Sequence, residues 1–222
     1  HQDTIVVTSI LVSFGIMEAL SGYYINSKRR KDDWVIDIVS VAQLAIIIKP
    51  SIVFLTGFLM SWIFPNSNGA LSHLPVWMGV LIIIIPDEFL HYWYHRKGHE
   101  WNWLWSIHKT HHTSPEMNIG VSYRENWLWF VLMPNLWYAA AMVYFGLAKA
   151  YIISTMIIGI IDVITHTNIK WDKFLYKYKF LKPFTWVLER IITLPSTHHA
   201  HHGIDEHSAP MGNYATTLFS WD

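Results

Sequence analysis

"HYWYHRKGHEWNWLWSIHKTHH", residues 91–112, contains six histidines, and "THHAHH", residues 197–202, adds four more. Packing alone does not explain such density, because every buried imidazole needs hydrogen-bond partners. A neutral imidazole is a good ligand for iron, zinc, copper or nickel. The two runs therefore indicate metal binding, and the spacing of their histidines indicates how the chain folds around the metal.

The histidines recur at helical spacing. Those of residues 91–99 are four residues apart and line one stripe of a helix. The pattern HxxHH occurs at residues 108–112 and again at 198–202, and three rings of each box are expected to converge from one face. Asp162 and His166 are also four residues apart, at the end of an apolar segment. Each cluster is therefore predicted to lie on a helix.

The candidate ligands are too many for one ion, which takes about four to six. Nine imidazoles suit two ions, and the absence of cysteine excludes thiolate sites. Such a set favours a redox metal pair, iron above all, with zinc as a replacement in purified protein. The nine histidines predicted as metal ligands and catalytic residues are His95, His99, His108, His111, His112, His166, His198, His201 and His202.

The composition indicates a membrane protein with no nucleic-acid partner. Hydrophobic residues make up 52% of the chain and charged residues 14%, against about a quarter charged in soluble domains. The net charge is zero, which gives no attraction to nucleic acid. The apolar segments predict about four transmembrane helices. The apolar segments are residues 4–25, 34–64 with a kink near Pro50, 74–95, and a helical pair at 127–147 and 150–166, which either crosses out and back or dips in and returns.

The basic residues 28–31 place their loop in the cytoplasm. The loop at 65–73 is then outside, and every histidine cluster returns to the cytoplasmic side. The expected fold is an all-α polytopic membrane protein whose cytosolic helical cap carries the histidines. We expect one domain over residues 1–222, with N-terminal spans at 1–73 and a catalytic region at 74–222. Lysines and aromatic residues alternate over 170–190, which suits either the lipid headgroup layer or an amphipathic helix packed on protein.

The stretch "EFLHYWYHRKGHEWNWLWSIHKTHHTSPEMN", residues 88–118, resembles the signature of the fatty acid hydroxylase / sterol desaturase superfamily. "HTN" at 166–168, "HHAHHG" at 198–203 and "NYATTLFSWD" at 213–222 resemble its later boxes, so the resemblance covers roughly residues 75–222. Within the superfamily the chain looks most like the alkylglycerol monooxygenase branch and its bacterial relatives.

The resemblance implies a membrane-embedded enzyme with a cytosolic di-iron centre. Such enzymes use dioxygen and external electrons to hydroxylate or desaturate lipid chains and sterols. The sequence has no flavin, nucleotide or haem fingerprint, so a redox partner protein is expected to supply the electrons. The expected surroundings are a lipid bilayer and a lipid or sterol substrate.

The resemblance also ranks the residues around the nine histidines. His91 stands where the family often has tyrosine, and His199 occupies a variable position, so each is a spare ligand or orients a ring. Other candidates for orienting the rings are Glu88, Asn118, Asp162 and Asp205. Arg96, Lys109 and Arg124 are candidates for contact with a lipid headgroup.

Two alternatives stay open. A desaturase on the same centre differs little in sequence from a hydroxylase. A metal transporter or metal-storage membrane protein also needs histidines, but its ligands should sit in the middle of spanning segments. Here most histidines lie beyond the predicted span ends, beside tryptophans, and this favours an enzyme.

Overall fold

The computed structural model describes residues 2–203, 211–215 and 221. The predicted candidate Asp205 lies outside these residues. Within them, every element is helical. In chain order they are α1 (Gln2–Leu20), α2 (Tyr23–Asn26), α3 (Lys31–Ala42), a π-helical segment (Gln43–Ile48), α4 (Lys49–Ile63), α5 (Val76–Glu100), α6 (Asn102–His112), a 3-10 turn (Ile119–Tyr123), α7 (Trp127–Leu132), α8 (Pro134–Tyr144), α9 (Ala148–His166), α10 (Lys173–Lys177), a 3-10 turn (Lys179–Leu181), α11 (Lys182–Leu188) and α12 (Pro195–His202).

Three helices in the described part of the chain are long and apolar enough to cross a membrane: Lys31–Ile63, Val76–Glu100 and Ala148–His166. The predicted span at 127–147 is instead two short helices, because Pro134 begins a new helix after the extended residue Met133. With 11 residues, α8 reaches only about 17 Å, well short of a bilayer core.

The kink predicted near Pro50 takes the form of the π-helical segment that precedes it. Proline has no N–H and its ring would collide with the carbonyl four residues earlier, that of Ile46. The chain widens here, and the N–H of Lys49 donates to the carbonyl of Leu44, five residues back. The helix thereby continues through the proline and remains one spanning unit, Lys31–Ile63.

α5 and α6 form the hairpin that carries the first two histidine boxes. The 25 residues of α5 extend about 37 Å, so the helix outlasts the membrane core and delivers its last turns beyond it. Trp101 is extended between the helices and reverses the chain. A side chain at Gly98 would put its Cβ 2.6 Å from the ring of Trp129, so glycine permits this close approach.

α1 is fastened to the rest of the molecule by Glu18, the lone charge of the first apolar segment. Its carboxylate is fully buried. It accepts hydrogen bonds from the Asn168 N–H at 2.7 Å, the Thr167 hydroxyl at 3.0 Å and the Ile119 N–H at 3.3 Å. The first helix is therefore held against the two loops that follow the second and third histidine-bearing helices, α6 and α9, at residues 119 and 167–168.

A second buried network ties α3 to the segment after α6. The Asp37 carboxylate accepts from Arg29 at 2.6 Å and from Arg124 at 3.0 Å, and Arg124 also donates to Asp33 at 3.0 Å. Arg124 is 1% exposed, so the prediction that it meets a lipid headgroup is wrong. Arg124 is buried between two carboxylates and therefore does not reach the surface where a headgroup would lie. Arg96 pairs instead with Glu100 on the helix surface.

Residues 170–190 form short helices whose aromatic side chains are largely exposed, including Phe174, Phe180, Phe184 and Trp186. Large exposed rings beside lysines are typical of the membrane–water interface. The headgroup-layer interpretation of this segment therefore agrees with the structure better than packing against protein.

Asp37→Ala tests the Arg124 network. It leaves two buried arginines without this carboxylate, and removing one partner of a buried ion pair costs about 3–5 kcal/mol. We expect the free energy of unfolding in detergent to fall by roughly that amount. Asp32→Ala, on the exposed face of the same helix, is the control and should change it by less than about 1 kcal/mol. Equal losses in the two variants would contradict the assignment.

Candidate metal centre

Four helices, α5, α6, α9 and α12, bring the predicted histidines together. Eight of the nine rings form two groups of four. The first group is His95, His99, His112 and His201, and the second group is His111, His166, His198 and His202.

Each group has the dimensions of a site for one ion. One ring nitrogen of each member lies within 4.8 Å of those of the others. Ligands with metal–nitrogen bonds of about 2.1 Å lie about 3 to 4 Å apart on one ion, so small shifts close the site. The boxes were expected to converge as units, but His111 and His112 belong to different groups, as do His201 and His202. Neighbouring residues on a helix point about 100° apart, so each box serves both groups.

The first group contains two lone pairs that face each other. His95 donates from Nδ1 to the Tyr214 carbonyl at 2.8 Å, and His201 donates from Nδ1 to the Gly212 carbonyl at 2.7 Å. A neutral imidazole carries one proton, so Nε2 of both rings is unprotonated. These two Nε2 atoms are 3.2 Å apart. Two acceptors at this distance repel unless a cation lies beside them.

The second group repeats the arrangement. His166 donates from Nδ1 to the Asp162 carbonyl at 2.8 Å, and the Nδ1 of His198 is 3.2 Å from the side-chain oxygen of Asn213. Their Nε2 atoms face each other at 3.0 Å. In the first group, the Nε2 of His99 is buried and has no hydrogen-bond partner. The described residues therefore fit a metal ion in each group.

Burial keeps the rings in the form that binds metal. It lowers the pKa of His111, His198 and His202 well below the usual value, and neighbouring imidazoles lower each pKa further. Burial also lowers the pKa of His201 to about 3. These rings are therefore neutral at physiological pH, and a neutral imidazole is the metal ligand.

Three consecutive residues after the third box orient three rings. Gly212 and Tyr214 accept through their carbonyls, from His201 and His95, and Asn213 through its side chain, from His198. Asn213 has φ 57°, in the left-handed region that asparagine tolerates better than most residues. The sequence interpretation gave these residues no role. The only signal was that the stretch from Asn213 resembles a late family box.

His108 belongs to neither group but contacts both. Its Nε2 is 3.2 Å from that of His112, and its ring centre is 5.4 Å from that of His111. Its Nδ1 donates to the Glu125 carboxylate at 3.0 Å, and its ring stacks on Trp129 at 4.1 Å. His108 remains the ninth predicted ligand, with a ring fixed on both sides.

Glu125 is the carboxylate that the sequence interpretation missed. It is buried, one oxygen accepts from His108, and the other has no hydrogen-bond partner within the described part of the chain. Burial raises its pKa well above the usual value, and the Asp162 carboxylate raises it further. Ser40 and Gln43 donate to its backbone carbonyl at 3.1 and 3.0 Å, so the N-terminal helices position it.

The other predicted candidates lie in different places. Asp162 lies at His166, with a carboxylate oxygen 3.3 Å from Nδ1, in keeping with a ring-orienting role. His91 and Glu88 line the adjoining cavity. His199 is hydrogen-bonded to the backbone near Thr167.

The prediction that Asn118 orients an imidazole finds no support among its hydrogen bonds. Its side chain accepts from the Gly120 N–H at 2.8 Å and donates to the Tyr23 hydroxyl at 3.3 Å. It therefore caps the 3-10 turn that follows the second histidine box. Its fixed position belongs to the framework around the metal centre.

A cavity of about 130 Å³ opens beside the two groups. His95 of the first group and three rings of the second lie in its wall. The remaining wall is largely apolar, and its apolar residues lie mainly on α7, α8 and α9, with one on the π-helical segment. Its apolar residues include Leu44, Trp129, Phe130, Met133, Leu136, Ala139 and Ile158.

Comparison with known proteins agrees with this geometry. The family model "Fatty acid hydroxylase" matches residues 80–222. Human alkylglycerol monooxygenase is 27% identical over 97% of this chain and 45% of its own length. The Xenopus tropicalis alkylglycerol monooxygenase is 29% identical over 78% of this chain and 36% of its own length. The chain thus spans less than half the length of these relatives. No solved structure matches.

Glu125→Gln tests the role of the missed carboxylate. Weakening its hydrogen bond to His108 should lower metal affinity about 10- to 100-fold, as loss of an outer partner of a metal-bound imidazole does. Metal affinity is measured by competition with a chelator. Glu189→Gln, whose carboxylate accepts from Tyr176 at the surface, is the control and should leave it unchanged. Equal affinity in the two variants would show that Glu125 has no part in the site.

Proposed function

The chain belongs to the fatty acid hydroxylase family, and on that premise we propose that it is a membrane-bound, dioxygen-dependent di-iron enzyme. It hydroxylates a C–H bond of an acyl or alkyl lipid or of a sterol. The observation that carries this proposal is the pair of four-histidine groups, each with two unprotonated Nε2 atoms facing each other.

The proposed iron pair is held by the eight grouped rings, with His108 as the ninth. When bound, two ferrous ions would supply dioxygen activation: with two external electrons and two protons, one oxygen atom would enter a C–H bond and the other would leave as water. The chain's own contribution is to hold the rings neutral and fixed. The carbonyls of Asp162, Gly212 and Tyr214 fix three of the rings by accepting hydrogen bonds from their Nδ1–H groups, and burial keeps the rings neutral.

The cavity positions the substrate in this proposal. Its wall joins imidazoles such as His95 and His198 to apolar side chains such as Phe130 and Met133. An alkyl segment in this space lies against the metal centre and displaces water, which protects the reacting carbon from side reactions. Half of the residues that line the cavity lie on the three long apolar helices, which suits entry of a substrate from the bilayer.

The same structure supports the finer parts of the proposal. The buried bonds of Glu18 and Asp37 join the N-terminal helices to the histidine region, in keeping with a single domain over residues 1–222. If the protein crosses the membrane four times, α1 is the fourth spanning helix in addition to the three long ones. A partner protein supplies the electrons.

The same observations bear on two other functions, a desaturase and a metal transporter. A desaturase would use the same centre and cavity, and it would yield an alkene in place of an alcohol. A metal transporter would place its ligands in the middle of spans. His95 and His99 instead occupy the last two turns of α5, and His166 is the last residue of α9, which favours an enzyme.

The reaction is tested by incubating the purified, iron-loaded protein with membrane lipid, a reductant and ¹⁸O₂, followed by mass spectrometry of the lipid. An alcohol carrying ¹⁸O supports hydroxylation, and an alkene without label supports the desaturase. His99→Phe removes a grouped ligand and should abolish both product and metal. His91→Phe, on the same stripe but outside the groups, is the matched variant and should keep measurable amounts of both. The reverse ranking would contradict the ligand assignment.

Sidedness is a further part of the proposal, with the histidine boxes and the basic loop in the cytoplasm. The Ser27 hydroxyl donates to Glu116 at 2.7 Å, so this loop and the segment after the second box share one side. Exposed cysteines at Lys28→Cys and Lys109→Cys should resist an impermeant thiol reagent in intact cells and react after permeabilisation. Asn68→Cys, in the loop before α5, should react in both. The opposite labelling would invert the orientation.

A further inference from the structure

The wall of the cavity also carries a polar cluster that includes none of the grouped imidazoles. It consists of Lys49, Asp87, Glu88 and Asn135, which we call the polar end. Asp87 precedes His95 by eight residues on α5, so their backbones are about 12 Å apart along the helix. Ionisable residues inside a spanning helix are costly and mark functional positions by default. The metal centre uses none of these four.

Asn135 provides the independent sign of a ligand. Its side-chain N–H donates to Asp87 at 3.2 Å, while its side-chain oxygen is buried and has no hydrogen-bond partner among the described residues. The residue is 5% exposed and lines the cavity. A buried carbonyl oxygen without a donor is destabilising. A ligand that donates a hydrogen bond at this point would satisfy it.

The charges of the polar end determine which kind of ligand can donate a hydrogen bond to Asn135. Two carboxylates, Asp87 and Glu88, stand against one ammonium group, Lys49, which acts electrostatically on Asp87. A carboxylate or phosphate headgroup would meet net negative charge in surroundings of low dielectric constant, where repulsion is strong. A hydroxyl group carries no charge and can donate to the free oxygen of Asn135.

We propose that the polar end is a subsite for the hydroxyl group of a neutral lipid and that it discriminates against free fatty acids. The inference rests on the proposed function for the cavity's role as substrate site. A hydroxyl held beside Asn135 fixes the chain relative to the imidazoles. The carbon that reacts is therefore counted from the hydroxyl end and not from the methyl end. A long-chain alcohol and a sterol both carry such a hydroxyl.

Binding to the iron-loaded protein without dioxygen tests the subsite apart from turnover. The affinity of each competitor is measured by its displacement of radiolabelled hexadecan-1-ol. The competitors are 1-methoxyhexadecane, hexadecanoate, cholesterol and cholesterol methyl ether. One hydrogen bond predicts that the alcohol binds about 5- to 10-fold more tightly than its methyl ether. If only cholesterol shows this preference over its own ether, the hydroxyl is that of a sterol. Hexadecanoate should bind more weakly than the favoured hydroxyl lipid.

Two variants test whether the polar end causes the preference for the hydroxyl and the weaker binding of hexadecanoate. Asn135→Leu should remove the preference for the hydroxyl and leave the affinity for the methyl ether unchanged, whereas the exposed control Asn68→Leu should keep the preference. Asp87→Asn removes a negative charge and should strengthen hexadecanoate binding several-fold. Preserved discrimination in Asn135→Leu would overturn the assignment.

The wild-type comparison stands even where a variant fails to fold. Equal binding of alcohol and methyl ether, for both the chain and the sterol, would overturn the subsite. If labelled product forms without this discrimination, the subsite is wrong and the proposed function stands. If discrimination occurs and no lipid is oxidised, the subsite stands and the proposed function is wrong.

Discussion

Opposed imidazole lone pairs are the constraint on which the rest of the structure depends. His95 faces His201, and His166 faces His198, with Nε2 atoms 3.2 and 3.0 Å apart. Protonating a ring would relieve the repulsion, but burial opposes a charged imidazole. A metal ion relieves it without charging the rings. The geometry of eight rings thus makes sense as two metal sites, and the surrounding residues act to keep those rings in place.

The framework around the rings extends to the N-terminal helices. α3 and the π-helical segment hold the backbone of Glu125, which in turn fixes His108. On the other side, Asp172 accepts from the Ser196 N–H at 2.8 Å and so holds the first turn of α12. Each histidine-bearing helix is therefore anchored by a buried carboxylate or carbonyl. Such outer partners determine ring orientation and ligand basicity.

The sequence predicted the helical stripes, and eight of its nine candidate histidines come together in the structure, because helical periodicity and side-chain identity are both local. It could not predict that His111 and His112 belong to different groups, since this depends on how α6 faces α12. Glu125 and Arg124 find their partners across long sequence separations, which charge patterns do not reveal. The carbonyls of Gly212 and Tyr214 were also invisible, because every residue has a carbonyl and only the fold selects which one accepts.

The division of residues 127–147 into the short helices α7 and α8 was also not predicted from the sequence. The segment at 127–147 is apolar enough for a span, but Pro134 divides it into α7 and α8, and these pack under the metal centre. Trp129 of α7 stacks on His108, and Asn135 of α8 reaches Asp87. Composition predicted one apolar helix at 127–147. Pro134 instead divides the segment, and the two short helices line the cavity beside the histidine groups.

The number of metal ions bound per chain tests the central claim most directly. Mass spectrometry of the intact protein under native conditions counts ions on each chain, whatever their identity. Two ions per chain are expected, iron when loaded anaerobically and zinc in some preparations. A chain saturated by one ion, with no second ion at excess metal, would contradict it.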